Sequence, residues 1–210
     1  MRSVAQTRTL GAADPNGICL DQQLGAAGDL AINGAFATGG VATLDAQRQV
    51  ELESAGNISA TNFTVTGTDD SGNIVEETIA GPNVGVVATA VNFRTVTQIA
   101  ADAAFGTNVE IGTNGVGASQ EVPLDQYISP FNVSLAVLIE SGALNYTVQF
   151  TFDDVFSGNS GPFTWFDHTD LTALAVDAQA TLISNVKAVR MLTNSGLGTA
   201  RFESLQAGLT

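Results

Sequence analysis

Residues 61–99, TNFTVTGTDDSGNIVEETIAGPNVGVVATAVNFRTVTQI, decide the fold class. Phe63, Val65 and Gly67 alternate with Thr64, Thr66 and Thr68, the period-two pattern of a strand with one buried face. DDSGN follows, where Gly72 and Asn73 can supply the positive φ of a hairpin turn. Ile74 to Ile79 returns as a strand, and Gly81-Pro82-Asn83 turns the chain again. Val84 to Ala90 and Val91 to Ile99 read as two further strands. No residue here stands as a nucleophile beside a base. The stretch predicts scaffold.

Working outward, the same signals recur. Leu30 and Ile32 alternate before the Asn33-Gly34 turn, and Gly39-Gly40 makes another. Val41 to Leu44 and Gln49 to Glu53 read as short strands, with Val50 and Leu52 on one side and Gln49, Glu51 and Glu53 on the other. The cleanest pattern lies in residues 128–156. Val133, Leu135, Val137 and Ile139 alternate, Ser141-Gly142 predicts a turn, and Leu144, Tyr146, Val148, Phe150 and Phe152 share one face. Val186 to Thr193 and Thr199 to Gln206 supply two last strands, joined at Asn194-Ser195-Gly196. Between them, Leu171, Leu174, Ala175, Ala178 and Leu182 fit either a short helical pattern or a packed loop. The expectation is an all-β protein of two β-sandwich domains, jelly-roll or immunoglobulin-like. Residues 1–28 form an extended N-terminal arm, 29–115 the first sandwich, 116–127 a Gly-rich linker and 128–210 the second. For the arm, docking on a partner and draping on its own domain weigh equally.

Composition narrows the function classes. The chain has 210 residues, enough for two small cores, and a formal net charge of −14 from 21 acids and 7 bases. The acids are spread over both halves and Lys187 is the one lysine, so direct nucleic-acid binding is not expected. An acidic coat suits solubility or docking onto a basic surface. No apolar run approaches the roughly 18 residues of a membrane helix. The first residues lack the apolar core of a signal peptide, so synthesis in a cytoplasm is expected. With 22 glycines and 5 prolines the chain is rich in turns. Cys19, the single cysteine, reads as a small buried hydrophobe in Gly-Ile-Cys-Leu, and no intrachain disulfide can form.

Few residues offer chemistry. DDSGN loosely resembles a calcium loop but lacks the EF-hand pattern, and a hairpin turn explains Asp69, Asp70, Gly72 and Asn73. GTNGVG is no phosphate loop, since no Lys-Ser/Thr and no helical pattern follow it. Asp153, Asp154, Asp167, His168 and Asp170 are denser. If their loop closes, they can meet as a divalent-cation site or an acidic pair for glycoside hydrolysis. The plainer reading ends a strand at Asp153-Asp154 and caps a loop with Asp167 to Asp170. Trp165 with Phe163 and Phe166 suits a plug at the open end of the second sandwich or a partner contact, or else a sugar platform. Arg190, on a strand with Lys187, is read as pairing with an acid of its own domain. The expectation is therefore no catalytic residue, no resident metal and no cofactor, with Trp165, Phe163 and Phe166 as partner contacts.

TVTGTDDSGNIVEETIAGPNVG at 64–85 followed by FRTVTQI at 93–99 resembles a family of tailed-bacteriophage virion structural proteins. AGDLAINGAF, GGVATLDA, PFNVSLAV, NYTVQFTFDDVF, TWFDH, VKAVRMLTNSG and LQAG follow the same family's order, so the resemblance covers most of residues 25–210. It implies a non-enzymatic virion component with β-sandwich domains. Within that class, a capsid decoration (cement) protein is expected. It would be a homo-oligomer, a trimer by expectation, that bridges major capsid protein subunits without touching nucleic acid or membrane. A neck, tail-tube or fibre-base protein is the alternative, and a carbohydrate-binding module through Trp165 is the remote one.

Overall fold

A computed structural model describes residues 2–155 and 163–209. The chain is all-β: 71% of it is strand, and no α-helix forms among the described residues. In chain order the strands are β1 (Arg2–Leu10), β2 (Asp14–Leu24), β3 (Gly28–Asp29), β4 (Ala37–Thr38), β5 (Val41–Asn57), β6 (Asn62–Thr68) and β7 (Ile74–Ala80). Then come β8 (Asn83–Ala101), β9 (Phe105–Ala118), β10 (Val122–Pro123), β11 (Ser129–Thr151), β12 (Phe166–Asp167), β13 (Ala178–Leu182) and β14 (Ala188–Leu209). A 3-10 turn spans Thr169–Leu171. Two compact units result. One holds Ala13–Asn114, the other Met1–Ala12 with Gly115–Thr210.

In the Ala13–Asn114 unit, strand neighbours run β7-β6-β8-β5-β9, with β2 on β9, β3 on β8 and β4 on β5. The row Phe63, Val65, Gly67 faces the core, as alternation requires, and Phe63 and Val65 are wholly buried. Phe63 packs its ring against that of Phe105, centroids 5.4 Å apart. Leu44, Leu52, Phe93, Ile99 and Ile111 complete the centre of this core. Each such burial is worth roughly 2 kcal/mol. Gly67 ends the row for a steric reason. A Cβ there would collide with the carbonyl oxygen of Thr95, just where the β6/β8 register shifts.

The two strands read at 84–90 and 91–99 are one strand, β8, with a break in register. Gln49 faces Asn92, but Glu51 faces Ala88, so β8 carries two extra residues between these pairs. Thr89 fills this bulge, accepting the Val50 amide at 2.9 Å and donating to the Val91 carbonyl at 2.8 Å. From β7, the Glu77 carboxylate accepts the amides of Ala90 and Val91 at 3.1 and 2.8 Å. The short strands read at 41–44 and 49–53 merge in the same way into β5. The merged strand has a register shift between Thr43 and Arg48.

The other unit is built on a long antiparallel ribbon of β11 and β14, paired from Ser129↔Leu209 to Thr151↔Ala188. β13 extends it beside Val133–Val137, and β1 beside residues 198–206. β12, β10 and the end of β9 flank its other half. The core includes Val133, Leu135, Val137, Leu144, Tyr146, Val148, Val189 and Phe202, all buried.

Two expected turns are therefore not turns. Ser141-Gly142 and Asn194-Ser195-Gly196 lie inside β11 and β14, where Gly142 faces Gly198 and Leu144 faces Gly196. Gly142 and Gly196 do take positive φ, 77° and 90°, but within an unbroken run of pairs from Ser141↔Thr199 to Asn145↔Ser195, flanked by a register shift on each side. A glycine signals an accessible φ; the cross-strand partner decides whether the chain reverses.

Residues 2–10, read as part of an arm, are a strand on β14. The Gly-rich run GTNGVG is part of β9, and the expected linker contributes β10. Residues 171–182 form the end of the 3-10 turn, a packed connection and β13.

Candidate functional site

The acidic-aromatic segment singled out in the sequence sits against the end of β11. Asp153 leaves the strand after Thr151, whose hydroxyl accepts the Asp153 amide at 3.0 Å and donates to the Thr164 carbonyl at 2.8 Å. The Asp153 carboxylate accepts the Thr164 amide at 2.6 Å. Thr151 and Asp153 thus clamp the two ends of the loop together. Residues 156–162 of that loop lie outside the described residues.

His168 is buried and holds backbone. Its Nδ1 accepts the Asp170 amide at 3.3 Å, capping the Thr169–Leu171 turn. With Nδ1 as acceptor, the ring proton sits on Nε2, 3.4 Å from the Thr181 carbonyl. Its main chain pairs with Val148, and its carbonyl accepts the Thr172 hydroxyl at 2.7 Å. Ser/Thr/Asp/Asn usually supply such caps, so a His in this role had no signal in the sequence.

Asp167 and Arg190 meet through Gln149 of β11. Gln149 donates from Nε2 to Asp167 at 2.8 Å and accepts Arg190 Nε at 3.0 Å. Ladder register makes this inevitable, because Gln149 faces Asp167 on one side and Arg190 on the other. Arg190 lays its guanidinium over the Trp165 ring, 4.0 Å from the centroid. Crowding strips water from the guanidinium and pulls its pKa down to about 10, against the opposing pull of Glu121 and Asp167. Arg190 keeps some solvent contact, but desolvation of its head group dominates.

On the other side of β11, Phe150, Phe152 and Phe166 form a ring cluster. Phe150 stacks on Phe166 at 5.8 Å and meets Phe152 edge-on at 5.9 Å. Phe152 and Phe166 stay 51% and 45% exposed, which makes this the aromatic contact surface of the segment. Phe163 and Trp165 are half-buried. Phe166 and Trp165 therefore belong to different surfaces, and the sequence grouping of the three aromatics divides.

Among the described residues, no three of His, Cys, Asp and Glu converge as a metal-binding group. At the first hairpin, Asp69 accepts the amides of Ser71 and Asn73, both at 2.8 Å, and the Asn73 side chain at 2.9 Å. Asp70 pairs with Arg94 at 3.2 Å. Hairpin closure, with Gly72 at φ 82°, accounts for the DDSGN residues. Cys19 is fully buried, and burial pushes its thiol up to about 12.

The sequence offered no pointer to Arg48. It is 1% exposed, pairs with Asp45 at 2.8 Å and donates to the Thr113 hydroxyl at 3.0 Å. Burial lowers its pKa and Asp45 raises it. This is a structural ion pair inside a β-bulge.

No protein-family model matches the chain, and neither does any curated protein.

Proposed function

We propose that the chain is a non-enzymatic structural protein of a tailed-bacteriophage virion, made in the host bacterial cytoplasm and carried in the particle. Its most economical role is capsid decoration: two β-sandwich domains, repeated in a homo-oligomer, bridging major capsid protein subunits. The resemblance of the ordered segments supports the class. The observation that carries the reading is what the reactive side chains do. His168, Asp153 and Asp167 each hold a backbone or side-chain partner of the scaffold. Strands and their cross-linking side chains resist load through many parallel hydrogen bonds, which suits a cementing role.

Glycan binding through Trp165 is the weaker reading, because Arg190 already covers one ring face. A host-glycan panel compared with Trp165→Ala separates the two. Quantitation of the chain in gradient-purified particles tests the main reading. Decoration requires copies on the order of the capsid subunits. A small fixed number moves the chain to the neck, tail tube or fibre base. Absence from the particle ends the virion reading.

A further inference from the structure

Strand β1 pairs with β14 and, among the described residues, with no other strand. Its register runs from Arg2↔Gln206 to Leu10↔Gly198 without a break. Yet β1 is thinly anchored by side chains. Ser3, Ala5, Thr7 and Thr9 are exposed, Val4, Gln6 and Arg8 are half-buried, and Leu10 is buried. The Gln6 side-chain oxygen is enclosed without a hydrogen-bond partner, which weakens the strand's hold further. Three residues, 11–13, join β1 to β2. Behind β1 lies the edge of β14, whose residues 198–206 have β11 on their other side. Removing β1 would expose a nine-residue row of alternating unpaired amides and carbonyls, a template for another strand.

We propose that β1 is an exchangeable strand, and that the β14 edge at 198–206 takes β1 of a second copy of this chain. The occupant follows from the ladder itself. A second copy carries the identical RSVAQTRTL, so the same nine pairs form in the same register between chains as within one. Exchange therefore loses no native contact of the ladder. The balance is set by how residues 11–13 rearrange to span the two chains and by local concentration. Weak side-chain anchoring puts the opening of β1 at the low end of the local unfolding energies. The inference does not depend on the virion reading, since it concerns how copies join in any assembly.

Thr9 and Thr199 provide the test, because they face each other with hydroxyls 3.0 Å apart. Thr9→Cys and Thr199→Cys full-length chains, differently tagged, are co-expressed, purified and oxidised. Neither chain can form this bond alone, and Cys19 is buried. Exchange yields a mixed disulfide dimer, lost on reduction, in which mass spectrometry finds positions 9 and 199 linked. The doubly substituted chain then gives linked oligomers as well as linked monomers. Ala5→Cys with Glu203→Cys, another register pair, repeats the test should the first pair fold poorly. If the double variants link only within one chain and the mixtures give no 9–199 or 5–203 bond, the proposal is wrong.

Discussion

The Glu77 carboxylate accepts the backbone amide of Val91 at 2.8 Å, and with the neighbouring bond to Ala90 it closes the bulge in β8. A bulge leaves amides outside the ladder, and here a side chain from another strand takes them up. Glu77→Ala is expected to destabilise the protein by about 1–3 kcal/mol, the usual effect of stranding such groups. Glu77→Gln retains one acceptor and should lose less. Urea unfolding of the three proteins checks the order.

Asp45 and Arg48 make a second, asymmetric pair: the arginine is buried, while the Asp45 side chain is 40% exposed. Removing the acid leaves a buried cation with one fewer partner; removing the base leaves an acid that water can reach. Asp45→Ala should therefore cost about 2 kcal/mol, and Arg48→Met, which keeps much of the buried volume, should cost less. Equal losses in denaturant unfolding would refute the asymmetry.

Cys19 makes stability depend on alkaline pH. Its folded pKa is raised from 9.0 to about 12, so the folded chain keeps a proton that the unfolded chain has released. Its contribution is fully present below pH 9 and is lost as pH rises toward 12, because the folded state there binds more protons. The stability difference between the native chain and Cys19→Ala should fall over that window, with a slope approaching about 1.4 kcal/mol per pH unit. A thiol reagent should find no reactive group in the native protein and one per chain after denaturation, since the chain has 1 cysteine.

Trp165 is the only tryptophan, so its emission reports on Arg190 directly. Arg190→Met removes the cation from the ring face and should change the emission intensity with little loss of fold. Gln149→Leu cuts both the Asp167 and Arg190 bonds. It should lower stability by about 1–3 kcal/mol and alter the same emission. An unchanged spectrum in both variants would mean that the stack does not persist in solution.

Alternation made much of this fold legible. The rows Phe63-Val65-Gly67 and Leu144-Tyr146-Val148 face their cores because side chains on a strand point to opposite sides whatever the partner. The DDSGN turn was legible for a similar local reason, since Asp69, Gly72 and Asn73 close it among themselves. The candidate loop was legible only as a cluster of types. Sequence adjacency grouped Trp165 with Phe166, whereas the pleat sends one to Arg190 and the other to Phe150.

The sequence by itself determined the all-β class, the core-facing rows and the first hairpin, because these depend on the chirality and spacing of neighbouring residues. Tertiary structure alone decided whether a glycine pair reverses the chain. At Gly142 and Gly198 the opposing strand kept the ladder going. It also decided that β1 lies on β14, about two hundred residues away in the chain, and that His168 caps a turn. Such pairings depend on which strand edge is left open once the others have formed, and no local pattern carries that information.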